Sequence, residues 1–170
     1  DVPLDGEGTD VSAVNDVFTQ TDKPTVDVLF CVDNSGSMGE EQMGLSANFP
    51  SFINYAASLN IEYQIGVVTN EINKAGKGET GDMIYPGVLF QRYGTPRIIT
   101  NAVPHPTTPP YQPTGVDPVD ALEQNAMPGT CCSDEQESCM EAVRLALSSP
   151  LVNDDAANKG MLRKYAKLVI

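Results

Sequence analysis

The chain has 170 residues, a length typical of one domain and sufficient for a hydrophobic core. Apolar residues make up 41%, which argues against a disordered chain, and 10 Lys and Arg against 23 Asp and Glu give a formal net charge of −13. A field of that sign repels phosphate, so it disfavours nucleic acid and anionic membrane surfaces and favours cations or basic partners. No apolar run is long enough for a transmembrane span.

The two ends of the sequence suggest a processed or partial chain. Residues 1–24 are acidic and weakly periodic, which predicts an extended arm ahead of a domain over residues 25–170. The sequence begins at Asp1 without Met, which fits either a mature chain that has lost a leader or an arbitrary edge. It stops at Ile170 inside an apolar stretch, so we expect the domain to be incomplete at its C-terminus.

Two predicted strands flank one long predicted helix. Residues 26–32 are apolar and rich in β-branched side chains, which predicts a buried strand, and residues 61–69 predict a second strand. Apolar residues recur at helical spacing over 39–59, where Pro50 is expected to kink or split the helix. This βαβ unit implies a parallel sheet, so the predicted fold class is α/β with a doubly wound, mostly parallel, Rossmann-like sheet.

The rest of the chain is less regular. Residues 70–128 hold most of the 13 prolines, and we interpret them as an insertion that serves recognition or assembly. Within it, residues 88–90 and 97–99 predict short strands or a hairpin, and residues 104–118 predict turns or polyproline structure.

A helix and a strand are predicted after the insertion. Ser133 and Gln136 have the spacing of a capping box at the start of a predicted helix over 135–148. Residues 154–164 are expected to hold a further short helix, and residues 168–170 to begin a third core strand.

The four cysteines indicate an oxidising compartment. Cys31 lies inside the first predicted strand, where we expect a buried thiol. Cys131, Cys132 and Cys139 cluster around one loop and helix start and are the disulfide candidates, with their pairing left open. With the leader-like N-terminus they favour a secreted protein, extracellular, at the cell surface or periplasmic; four reduced thiols are the alternative.

Asp33, Ser35 and Ser37 follow directly after the first predicted strand. In a doubly wound sheet, ligands bind beyond the carboxyl ends of the strands. Alternate residues of an extended loop can direct one carboxylate and two hydroxyls the same way, and Gly36 lets the backbone turn. Such hard oxygen ligands suit Mg²⁺ or Mn²⁺ and are poor for zinc. The alternative is a hydrogen-bonded turn with a helix N-cap.

Residues 26–38 resemble the first strand and metal loop of the von Willebrand factor type A family, whose Asp-x-Ser-x-Ser signature falls on these three residues. The resemblance implies a mostly parallel sheet with helices on both faces and a metal-ion-dependent adhesion site. That site adds a Thr from a second loop, which matches Thr130, with Thr69 as the competing candidate. It also adds an Asp from a third loop, which in this sequence would lie after Ile170.

The resemblance implies a secreted or surface binding module. It would hold a divalent cation, Mg²⁺ first with Mn²⁺ or Ca²⁺ as alternatives, and bind an acidic side chain of a protein partner. The alternative is a structural subunit of an extracellular assembly whose sheet a neighbouring chain completes, the ion being structural or vestigial. We do not expect an enzyme, because the one His, His105, lies between prolines and Ser35 replaces the second carboxylate of an aspartyl phosphoryl-transfer site.

Overall fold

The computed structural model describes residues 23–78, 80–101, 116–131 and 138–170. These ranges contain six strands and three helices: β1 Thr25–Val32, α1 Gly39–Ser58, β2 Glu62–Thr69, β3 Gly76–Lys77, β4 Met83–Ile84, β5 Ile99–Thr100, α2 Pro118–Asn125, α3 Cys139–Ala146 and β6 Lys167–Val169. Several predicted features lie outside the described residues: most of the arm, most of the stretch 104–118, His105, Cys132, Ser133 and Gln136.

The main sheet is mostly parallel, as predicted. Its strand order is β5-β2-β1-β6, with β1 parallel to both β2 and β6 and β5 antiparallel to β2. β1 and β2 pair along their whole length, from Thr25 opposite Glu62 to Val32 opposite Thr69, and α1 connects them. The βαβ unit is therefore confirmed, and the two strands end at the same edge of the sheet.

Helices cover both faces of this sheet because successive strand residues point to opposite sides. On one face, buried residues of β1 and β2 such as Val28 and Ile65 pack with α1 and α2. On the other face, Leu29 and Val68 pack with α3 and with Met161. The described part of the chain is thus an α/β fold of three layers, which agrees with the predicted class at that level.

Three of the local predictions differ from the structure. Pro50 does not split the helix, because α1 continues through it, and Phe49 and Ile53 on either side are buried in the core. A proline removes one helical hydrogen bond, and the packing of this apolar face offsets that loss. Residues 154–164 form turns and no helix. β6 is exposed along its length, whereas a core strand was expected.

The described part of residues 70–128 contains one helix, α2, that the sequence analysis missed. α2 begins after Asp117, whose Oδ1 accepts a hydrogen bond from the Val119 N–H at 2.8 Å, and Pro118 occupies the first turn. An N-cap Asp followed by Pro is a start signal that the proline-rich composition obscured. Residues 88–90 form no strand, and the strand predicted near residues 97–99 is β5.

Two buried amides hold the backbone of residues 87–92: Asn158 from outside this segment and Asn125 from α2 within it. Asn158 donates to the Gly87 and Ala146 carbonyls at 2.7 and 2.9 Å and accepts from the Leu89 N–H at 2.9 Å. Asn125 likewise accepts from the Arg92 N–H at 3.1 Å. Residues around 87–92 are therefore packed on the domain, because each amide satisfies backbone groups that burial would otherwise leave unpaired.

A buried tyrosine predicts the response of this fold to alkaline pH. Burial, and secondarily the charge of Asp117, raise the pKa of Tyr63 from 10.0 to about 12. The contribution of neutral Tyr63 to stability is therefore fully present below pH 10 and is lost as the pH rises from 10 towards 12. We expect the free energy of unfolding to fall by about 2–3 kcal/mol across this window, measured by urea denaturation at stepped pH. The variant Tyr63→Phe should lack this component, and equal slopes in both proteins would contradict the assignment.

Candidate metal centre

The loop between β1 and α1 carries Asp33, Ser35 and Ser37. One carboxylate oxygen of Asp33, Oδ1, accepts hydrogen bonds from the Ser35 N–H at 2.8 Å and from Asn70 Nδ2 at 2.9 Å. The first of these closes an Asx turn, and the second comes from the residue after β2. The Asp33 carboxylate is therefore oriented through one oxygen by its own loop and by the neighbouring strand.

Three other side-chain oxygens of this loop make no hydrogen bond within the part of the chain that the structure describes. They are Asp33 Oδ2, Ser35 Oγ and Ser37 Oγ. The N-cap of α1 is Met38, and none of the described side chains caps that helix end. The hydrogen-bonded turn of the alternative interpretation is therefore present, but neither serine caps α1. One carboxylate oxygen and two hydroxyls are left for a ligand.

The second loop lies against the first. The Cys131 N–H donates to the Asn34 carbonyl at 3.0 Å, and Asn34 Nδ2 donates to the Cys131 carbonyl at 3.0 Å. Thr130, the residue just before, packs at the start of α1: a Cβ atom at Gly39 would lie 3.9 Å from the Thr130 Cγ2 methyl. The structure thus brings Thr130 next to the loop of Asp33, although the two are far apart in sequence.

Thr69 occupies a different environment. It is the last residue of β2, lies opposite Val32 in the sheet and is only 2% exposed. A buried strand position offers no open coordination sphere, so Thr130 is the better candidate for a second-loop ligand.

Four buried polar residues around these loops were missed by the sequence analysis: Asn34, Gln42, Asn70 and Glu71. Glu71 is 1% exposed, and its Oε1 lies 3.5 Å from Asn34 Nδ2. Asn70 and Glu71 could have been found, because they follow β2 and parallel strands end at the same edge as Asp33. Gln42 has no comparable signal, since a glutamine in a first helical turn is usually solvated.

The charged side chains at the site are acidic. Asp33 forms no ion pair with Lys or Arg among the described residues. Glu40 and Glu41 in the first turn of α1 are exposed, and their negative charges interact favourably with the positive end of the helix dipole. Within the described ranges no three His, Cys, Asp or Glu side chains group as metal ligands. A cation here would be held by one carboxylate and by hydroxyls, a set that fits a hard divalent ion.

A disulfide ties the strand before this loop to α3. Cys31 and Cys139 are bonded, with their Cα atoms 5.7 Å apart. The expectation of a buried thiol at Cys31 was wrong: the side chain is half-buried and oxidised, because it faces the side of the sheet where α3 begins. Cys139 is confirmed as a disulfide cysteine, and Cys131 is also disulfide-bonded. Disulfides are typical of oxidising compartments.

The described helices include none of the kind that crosses a membrane, since none is both long and apolar enough. Comparisons with models of known protein families, with curated proteins and with solved structures find no match to this chain. Its function must therefore be inferred from the two loops, the buried amides between them and the chemistry of their oxygen atoms.

Proposed function

We propose that the chain is a binding module similar to von Willebrand factor type A domains, in which Asp33, Ser35, Ser37 and Thr130 hold a divalent cation. The observation that carries the proposal is the junction of the two loops. Thr130 packs beside the loop of Asp33, and the backbone next to it is hydrogen-bonded to Asn34. A mostly parallel sheet with helices on both faces, and the motif at the carboxyl end of β1, support it further.

The ligand set explains why a cation would recruit an acidic partner. The four residues supply four oxygens, so an octahedral ion has two positions left for water or for another ligand. The single carboxylate of Asp33 leaves a divalent ion with excess positive charge, and a partner carboxylate is the natural counter-charge. The chain itself carries a net charge of −13, which repels acidic partners, so adhesion would depend strictly on the ion.

Mg²⁺ is the ion that we propose, with Mn²⁺ or Ca²⁺ as alternatives. Hydroxyl and carboxylate oxygens with retained water are typical of Mg²⁺ sites, which rarely use an all-protein cage. The disulfide between Cys31 and Cys139 favours an extracellular, cell-surface or periplasmic protein. Catalysis is not part of the proposal, since the described residues around Asp33 bring no nucleophile into hydrogen-bond contact with a base.

Thermal unfolding with Mg²⁺, Mn²⁺ or chelator tests the cation site. We expect Mg²⁺ at about 100 times its dissociation constant to raise the melting temperature by about 5–10 °C, since it binds only the folded state. The variant Ser35→Ala should lose most of this rise because it removes one ligand. The matched control is Ser51→Ala, an exposed serine of α1 that is remote in sequence from the metal loop. It should keep the full rise.

The outcomes separate the two candidate functions. A melting temperature that no divalent ion changes in the wild type would contradict the cation module. It would favour the second candidate, a structural subunit whose sheet is completed by a neighbouring chain. One observation speaks for that candidate: β6 lies at the edge of the described sheet, and Leu168, Val169 and Ile170 are 42%, 50% and 62% exposed.

A further inference from the structure

We infer that Gln42 is a positioning residue for the cation site and sets the separation of the loops that carry Asp33 and Thr130. The inference rests on the proposed function. Gln42 lies early in α1 and is only 4% exposed. Its Nε2 donates to the Asp33 carbonyl at 2.7 Å, and its Oε1 accepts from the Gly129 N–H at 3.0 Å. One side chain therefore contacts the backbone of both loops.

The chemistry of this contact requires an amide of this length. Gln42 donates to one loop and accepts from the other, which neither a carboxylate nor an apolar side chain can do at neutral pH. Asparagine is one methylene shorter and could reach only one of the two loops. Because Gln42 is buried, loss of its amide would leave the Asp33 carbonyl and the Gly129 N–H without their partner.

Thr130 is held on both sides by buried amides. Gln42 holds Gly129 before it, and Asn34 holds Cys131 after it through the paired hydrogen bonds described above. Asn34 itself belongs to the loop of Asp33, whereas Gln42 belongs to a helix. α1 is thus the rigid element against which the second loop is placed. Polar groups that orient metal ligands affect affinity without touching the ion.

The test compares Gln42→Met and Gln42→Asn with wild type in the oxidised, full-length chain. The Mg²⁺ dissociation constant is measured by calorimetric titration with MgCl₂ at a temperature where every variant is folded. We expect both substitutions to raise it by about 10-fold or more. The matched control is Ser46→Ala, one turn further along α1. Ser46 is 6% exposed and donates to the Glu123 carbonyl at 3.1 Å, away from the site.

The control separates positioning from general stability. Ser46→Ala should lower the melting temperature and leave the Mg²⁺ dissociation constant unchanged, whereas the Gln42 variants should change both. Hydrogen exchange of the Gly129 amide in chelator gives a second measurement that needs no ion, and Gln42→Met should speed it by at least about 10-fold. If Gln42→Met does not fold, Gln42→Asn serves for both measurements.

Two results would contradict the positioning role of Gln42, and they differ in what they mean for the proposed function. Wild-type protein that binds Mg²⁺ with Gln42 variants that bind it equally well would refute the positioning role and leave the proposed function standing. Wild-type protein that binds no Mg²⁺ would overturn both. In that case, faster exchange at Gly129 in Gln42→Met would show only that Gln42 orders the second loop.

Discussion

Replacing Arg163 with Met should lower the free energy of unfolding by about 3–5 kcal/mol, the largest effect that we expect from a single substitution. The Arg163 Nε donates to Asp27 Oδ1 at 2.7 Å, and its Nη1 donates to Glu62 Oε1 at 2.7 Å. The Asp27 side chain is 2% exposed, so the substitution would leave a charge in the core without its counter-ion. Urea denaturation measures the loss.

The position of the ion pairs of Arg163 explains their large expected contribution to stability. Asp27 and Glu62 lie near the starts of β1 and β2, and the Arg163 backbone N–H also donates to Asp27, at 2.7 Å. Arg163 thus connects the segment before β6 to the two central strands, at the end of the sheet away from the metal loop. Stability and cation binding can therefore be changed separately.

Arg144→Met is the matched control for Arg163→Met. Arg144 also makes two hydrogen bonds to one carboxylate, at 2.7 and 2.6 Å to Glu141, but this pair is exposed. The pairing lowers the pKa of Glu141 mainly through the Arg144 hydrogen bond, yet solvent screens an exposed pair, so we expect little change in stability. The double variant Asp27→Asn with Arg163→Met should recover part of the loss, since it removes the orphaned charge. Equal effects of the Arg163 and Arg144 substitutions would contradict the assigned role of burial.

Removing the disulfide between Cys31 and Cys139 should cost about 2–5 kcal/mol of unfolding free energy. The bond joins residues 108 positions apart, so it restricts a large part of the unfolded chain. The variant should replace both cysteines by Ala, because a single replacement would leave a reactive thiol. Guanidinium denaturation of this double variant and of the oxidised wild type measures the difference.

Reductant serves as the control for the disulfide. It should destabilise the wild type at least as much as the double substitution does, because Cys131 is also disulfide-bonded. Its further effect on the double variant measures what the remaining bond contributes. Equal stability of the double variant and the oxidised wild type would mean that the bond between β1 and α3 adds no constraint to the fold.

Local patterns determined the central part of this fold. The apolar run of β1, the helical spacing of α1 and the apolar run of β2 specify a βαβ unit, because period and length depend only on near neighbours in sequence. They also place Asp33, Ser35 and Ser37 at the carboxyl end of a parallel strand. Similarly, Asp117 and Pro118 carry the start signal of α2 in the sequence itself, although the prolines around them obscured it.

Contacts between distant segments could be decided only by the tertiary structure. Cys31 pairs with Cys139 because α3 packs on the face of the sheet where the Cys31 side chain lies. No spacing in the sequence indicates that these two residues are close. Gln42 reaches Gly129 for a similar reason, since α1 and the second loop meet only when the helices pack on the sheet. A motif of one carboxylate and two hydroxyls can therefore be recognised from sequence, while the amide that joins its two loops becomes visible only in the packed fold.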